Sequence, residues 1–142
     1  MALPTISIQR DVILQIENHC LRELPREGCG LLAGHGRDIT RFFPIPNQDP
    51  RPHSFSFEPR AYLETLKEMQ RLGLELLGIV HSHPSSDPRP SAKDIQEWHY
   101  PGLTSWILSL KHDEPRLSAY CIQNGQVFPV MYLVSGPASD PS

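Results

Sequence analysis

The segment that most constrains the fold is Leu74 to Val80, an apolar run too short for an ordinary helix, opened by Gly73 and closed beyond HSH by Pro84. A short apolar run bounded in this way reads as a buried strand. Such a strand needs sheet neighbours and covering layers, and the rest of the chain offers both. Residues 10–24 place Val12, Ile13, Ile16, Cys20, Leu21 and Leu24 at helical spacing, ended by Pro25, and residues 59–72 place Tyr62, Leu63, Leu66, Met69 and Leu72 on a second apolar face, ended by Gly73. Between them, EGCGLLAG turns at His35-Gly36-Arg37-Asp38 into DITRFFPIPN, which reads as a two-stranded hairpin. Gly28 and Gly30 fall on alternate positions of its first strand, so one face is nearly bare and open to close approach by another segment.

Residues 47–57 read as a Pro-containing loop closing with a short strand over 54–57. PSSDPRP leads into a short helix from Ser91, and LTSWILSL, RLSAYCIQ and QVFPVMYLV read as three strands, the last two joined at Asn124-Gly125. The expectation is one α/β (α+β) domain over residues 1–135, a mixed central sheet flanked by two or three helices. A frayed tail from Ser135 onward, over 136–142, completes it.

Composition narrows the function classes. A chain of 142 residues suffices for one core of its own. Thirteen Lys and Arg against sixteen Asp and Glu, with no long basic run, argue against nucleic acid as a partner. MALPTISIQR has no apolar stretch of the signal-peptide kind, and no window approaches the roughly 20 apolar residues of a membrane span, so a cytoplasmic location away from membranes is expected. Cys20, Cys29 and Cys121 are odd in number and widely spaced, which fits reduced, mostly buried thiols better than a disulfide framework or a CxxC half-site. Most of the remaining histidines, at 19, 35, 53, 99 and 112, read as surface residues, and Trp98 and Trp106 as core anchors.

The chemistry concentrates in HSHPSSDPRPSAKD, residues 81–94. At a strand end, residues i and i+2 point to one face, so His81 and His83 can present both imidazoles to one point. Asp94, in the first turn of the next helix, would add a carboxylate, and a His2Asp set leaves the fourth tetrahedral position of a catalytic zinc open for water. Nitrogen and oxygen donors without a nearby cysteine favour zinc. Plainer readings stand beside this one. Ser91-x-x-Asp94 is also a helix cap, His-x-His can be a hydrogen-bonded pair, and Glu27 can simply pair with Arg26 or cap a turn. Capping and ligation can coexist.

With its seven residues from Pro84 to Pro90, then Ser91-x-x-Asp94, and with Glu27 upstream in PREGCGLLAG, this pattern resembles the signature of the JAMM (MPN-plus) metalloprotease family. The resemblance covers most of the chain in order, including Pro44-Ile45-Pro46-Asn47. It implies a cytidine-deaminase-like MPN fold and one Zn2+ per chain held by His81, His83 and Asp94. It further implies Glu27 as general acid/base and Ser91 as a support for the oxyanion. Such a zinc ion can bring the pKa of a water from about 15.7 to near 7, and Glu27, expected on a neighbouring strand, can carry that water's proton to the leaving amine. Ser82 is a candidate for positioning.

CGLLAG and RPSAKDI look most similar to bacterial stand-alone members, which implies a ubiquitin-like or sulfur-carrier protein with a C-terminal diglycine as partner, and amide or isopeptide hydrolysis there, including cysteine release, as the reaction. A catalytically idle MPN scaffold is the alternative. A nucleoside deaminase is disfavoured, because H-x-E and P-C-x-x-C are both absent. An exposed edge strand would allow a homodimer.

Overall fold

A computed structural model describes residues 5–136. In chain order the elements are β1 (Ile6–Gln9), α1 (Arg10–Glu23), β2 (Cys29–His35), β3 (Asp38–Ile45), α2 (Pro59–Leu72), β4 (Glu75–His83), α3 (Ala92–Gln96), β5 (Thr104–Ser109), β6 (Arg116–Gln123), β7 (Gln126–Val130) and β8 (Tyr132–Ser135). All eight strands form one mixed sheet in the order β7-β6-β5-β4-β2-β3-β1-β8. As its apolar run requires, β4 is central, antiparallel to β2 on one side and parallel to β5 on the other. β7 and β8 stand at opposite ends of the order, yet only Met131 separates them in the chain, so the sheet curls until its edges meet at that corner.

Alternation along the strands divides the interior in two. Val80, Trp106, Leu108 and Leu32 face α1, whose Val12, Ile16 and Cys20 complete one core inside the curl. Leu31, Ala33 and Ile79 face the other way and pack with Ile45 and with Met69 of α2. His81 and His83 share parity with Ile79, so they emerge on the α2 side. The bare glycine face is used as expected. A Cβ on Gly30 would lie 2.5 Å from both the Phe43 carbonyl oxygen and the Phe42 ring, and one on Gly28 would lie 3.0 Å from Cys20 Sγ. Gly73 takes φ 70° to end α2, a conformation open to glycine.

Several expectations need correction. Ile6–Gln9 is a strand that its four residues did not announce, pairing parallel with β3 and β8. Residues 54–57 form no strand, only an isolated bridge between Asn47 and Phe57, because that segment folds back on itself through side chains. QVFPVMYLV is two strands, broken at Met131 where the chain leaves one sheet edge for the other. Ser135 is not frayed, since it pairs with Gln9 in β8. Residues 137–142 of the expected tail lie outside the described residues. Leu63 and Leu72 of α2, and Leu21 and Leu24 near the end of α1, are exposed rather than packed. Glu27 lies ahead of β2, off the ladder. Cys20 and Cys29 are free and buried, and Cys121 is free and half-buried. No helix among the described residues is long and apolar enough to cross a membrane.

Candidate metal centre

His81 and His83 leave the end of β4 on one face, and the loop after Pro84 returns the chain so that α3 starts beside them. His81 Nε2 and His83 Nε2 are 3.1 Å apart, and Asp94 Oδ2 lies 3.3 Å from the first and 3.1 Å from the second. Ligands at ~2.0–2.1 Å around a tetrahedral zinc sit about 3.3 Å from one another, so this triangle matches one face of such a site. Both imidazoles are buried, at 3% and 5% exposure.

The protonation pattern also favours a cation. His83 Nδ1 lies 2.9 Å from the Asp87 carbonyl oxygen, which only accepts, so Nδ1 carries the proton and Nε2 offers a lone pair. That lone pair faces the Asp94 carboxylate, an arrangement that demands a positive charge between them. Accordingly, burial works to lower the His83 pKa, but hydrogen bonds to Asp94 and to the Asp87 carbonyl raise it overall. Burial works to raise Asp94, yet its contacts with His81 and His83 hold it well below the usual carboxylate range. The buried convergence of two imidazole nitrogens and one carboxylate oxygen thus fits a divalent cation.

Capping and convergence are satisfied by the same atoms. Ser91 Oγ accepts the Asp94 N–H at 3.0 Å, and Asp94 Oδ2 accepts the Ser91 N–H at 2.9 Å while facing both imidazoles. The capping box fixes the carboxylate's aim and leaves the exposed Ser91 hydroxyl proton free to donate.

Glu27 is 5% exposed, and its Oε1 is buried without a hydrogen-bond partner among the described residues. Arg26 does not pair with it, because the guanidinium donates to the carbonyl oxygens of Asn47 and Asp49. Burial raises the Glu27 pKa, while His81 and His83 pull it back. A buried carboxyl with a raised pKa beside two imidazoles is suited to proton transfer. Ser82, fully buried between the two histidines, accepts the Gly28 N–H at 2.8 Å, and its own N–H donates to the Gly28 carbonyl.

A cavity of about 370 Å³ opens beside the triad, walled by His81, Phe55, Phe57, Tyr62, Trp98 and Tyr100. Of these walls only His81 was anticipated from the sequence. Phe55 stacks on the His81 ring at 4.6 Å between centroids, and no local signal in the 47–57 loop pointed to it. Trp98 packs on the core beside α2 as expected and also walls the cavity, whereas Trp106 is fully buried.

Comparison with known proteins gives the family and the fold. The family described as prokaryotic homologs of the JAB domain matches residues 9–123. A probable TtuB-protein conjugate cleaving protease of Thermus thermophilus is 42% identical over 97 residues, covering 66% of this chain and 65% of that protein. A desampylase of Haloferax volcanii is 35% identical over 88 residues, covering 60% and 63%. The match therefore spans just under two thirds of each of these two relatives. A CysO-cysteine peptidase of Mycobacterium tuberculosis is 28% identical over 124 residues, with 84% of each chain covered. Among solved structures, a protein of Desulfitobacterium hafniense superposes with TM-score 0.85 at 31% identity, covering 95% of this chain and 96% of that one. A structure described as "JAMM: A Metalloprotease-like Zinc Site in the Proteasome and Signalosome" shares the fold at TM-score 0.62 and 22% identity, covering 94% of this chain and 100% of that one.

Proposed function

The chain belongs to the prokaryotic JAB-domain family, and from that premise we propose that it is a zinc-dependent metallopeptidase cleaving an amide or isopeptide bond at the C-terminal diglycine of a ubiquitin-like or sulfur-carrier protein. The observation that carries the reading is the triangle of His81 Nε2, His83 Nε2 and Asp94 Oδ2, set at tetrahedral-edge spacing next to a buried, unpartnered Glu27. Residues 1–135 act as one catalytic domain, in the cytoplasm. Relatives named for cleaving TtuB conjugates and CysO-cysteine support the substrate class, with release of cysteine from a carrier adduct as one form of the reaction.

His81, His83 and Asp94 hold one zinc per chain. When bound, zinc supplies a Lewis acid that makes a water nucleophilic near neutral pH and polarises a carbonyl. The remaining work falls to the chain's own groups. Glu27 accepts a proton from the attacking water and returns it to the leaving nitrogen, a role its raised pKa suits. The Ser91 hydroxyl donates toward the carbonyl oxygen as negative charge gathers there. The aromatic cavity walls exclude water and leave room for an extended tail whose glycines are slim enough to lie against the imidazoles.

The test uses a diglycine-ended ubiquitin-like carrier joined through its last glycine either to cysteine or to a lysine side chain. Mass spectrometry should show cleavage directly after the second glycine, abolished by a chelator and restored by zinc. A zinc-loaded protein that cleaves neither substrate overturns the reading.

A further inference from the structure

The proposed base sits outside every ladder. β2 begins at Cys29, so strand pairing stops short of Glu27; one backbone bond, from the Ser82 N–H to the Gly28 carbonyl, reaches its neighbour, and side chains from elsewhere supply the rest of the hold. Two reach it. Ser82 holds the following residue, through the Gly28 N–H at 2.8 Å. Asn47 holds Glu27 itself, its Nδ2 donating to the Glu27 carbonyl at 2.9 Å.

Asn47 is committed at every hydrogen-bonding position of its amide. Nδ2 also donates to the Ser54 carbonyl at 3.0 Å, while Oδ1 accepts from the Asp49 N–H at 3.0 Å and the Ser56 N–H at 3.1 Å. Two carbonyls and two N–H groups admit one orientation of the amide, since a flip would set like against like at all four contacts. Its own carbonyl accepts from Arg26, the residue before Glu27, at 2.7 Å. Asn47 therefore anchors the segment that folds back over the site. Phe55 of that segment lies on the His81 ring, and Asp49, clamped by Arg51 and Ser54, faces Lys93 beside Asp94.

We infer that Asn47 is a positioning residue for Glu27: its amide fixes the backbone from which the base is aimed, and so couples the base to the segment that covers the site. The inference rests on the catalytic role proposed for Glu27, but one of its readouts does not.

The test compares Asn47→Ala and the isosteric Asn47→Asp with the wild type, all zinc-loaded. Asn47→Asp keeps both acceptors for Asp49 and Ser56 and turns the two donor contacts into oxygen-against-oxygen contacts at the Glu27 and Ser54 carbonyls, so it breaks the hold on Glu27 without opening a cavity. Turnover should fall at least tenfold in both variants, with KM within twofold and one zinc per chain retained. Amide hydrogen exchange at Glu27 and Gly28 should accelerate, while β3 stays protected. That exchange readout stands even if no carrier is cleaved, which separates failure of this inference from failure of the functional reading. Unchanged turnover and exchange in Asn47→Asp overturn the inference. So does a rise in KM at constant kcat, which would make Asn47 a wall support, or loss of zinc, which would make it part of the metal site.

Discussion

The two halves of the site are held by different physics. His81 and His83 sit on a strand paired on both sides, Cys29 opposite His81 in β2 and Ile107 opposite His81 in β5, so their aim follows from the pleat. Glu27 lies off the ladder, where a single backbone bond reaches its neighbour Gly28 and two side chains, Asn47 and Ser82, supply the rest of the hold. A ladder-fixed pair tolerates loss of a neighbouring side chain, whereas a residue clamped by side chains moves when one is removed. The ligand half should therefore fail through its own atoms and the base half through its supports.

Breaking the ladder-fixed half has the largest expected effect. His83→Ala should lose zinc and reduce turnover to background together, as metal content and product mass will show; zinc retained at full occupancy would remove His83 from the ligand set. Next, Glu27→Gln should keep its zinc and lose turnover by about 10²–10⁴, the usual worth of a general acid/base. Substantial residual turnover would take the proton shuttle away from Glu27.

The frame beneath both halves gives a smaller, purely structural effect. In Gly30→Ala the new methyl meets the Phe43 carbonyl, a backbone atom that cannot move cheaply, so thermal unfolding should report a loss of about 1–3 kcal/mol with zinc still bound. Ser91→Ala removes the cap of α3 and should cost about 1 kcal/mol. It should leave zinc bound, because the Ser91 N–H that the Asp94 carboxylate accepts is kept, and should lower turnover beyond this structural loss, because the hydroxyl donor to the carbonyl oxygen is gone.

The covering segment sharpens the comparison through pH. Hydrogen bonds from Arg51 and Ser54 hold the Asp49 carboxyl well below the usual carboxylate range. A depressed folded pKa contributes stability in full above the unfolded value near 3.9, and that contribution fades as pH falls below it toward the folded value. Melting temperature should accordingly drop as pH falls below about 4, and Asp49→Asn should flatten that part of the profile. An unaltered profile would show that Asp49 does not secure the segment.

The same division explains what was legible in the sequence. His81, His83 and Asp94 announce themselves because two residues of strand and one capping box bring them together over a short stretch. The two helices and the hairpin were legible from apolar spacing, and Gly30 from its bare face. Glu27 is 54 residues from His81, and only the resemblance pointed to it. Phe55 acts through a long-range contact that leaves no local pattern, and for Asn47 the resemblance marked the segment but not the bond to Glu27. The split at Met131 was hidden for the same reason, since the partner that β8 joins lies at the other end of the chain.

The most direct test is anomalous diffraction at the zinc edge from crystals of the zinc-loaded protein. The account predicts one peak per chain, about 2.0–2.2 Å from His81 Nε2, His83 Nε2 and Asp94 Oδ2 together. A peak bound elsewhere, or none at these three atoms with zinc in excess, would contradict it.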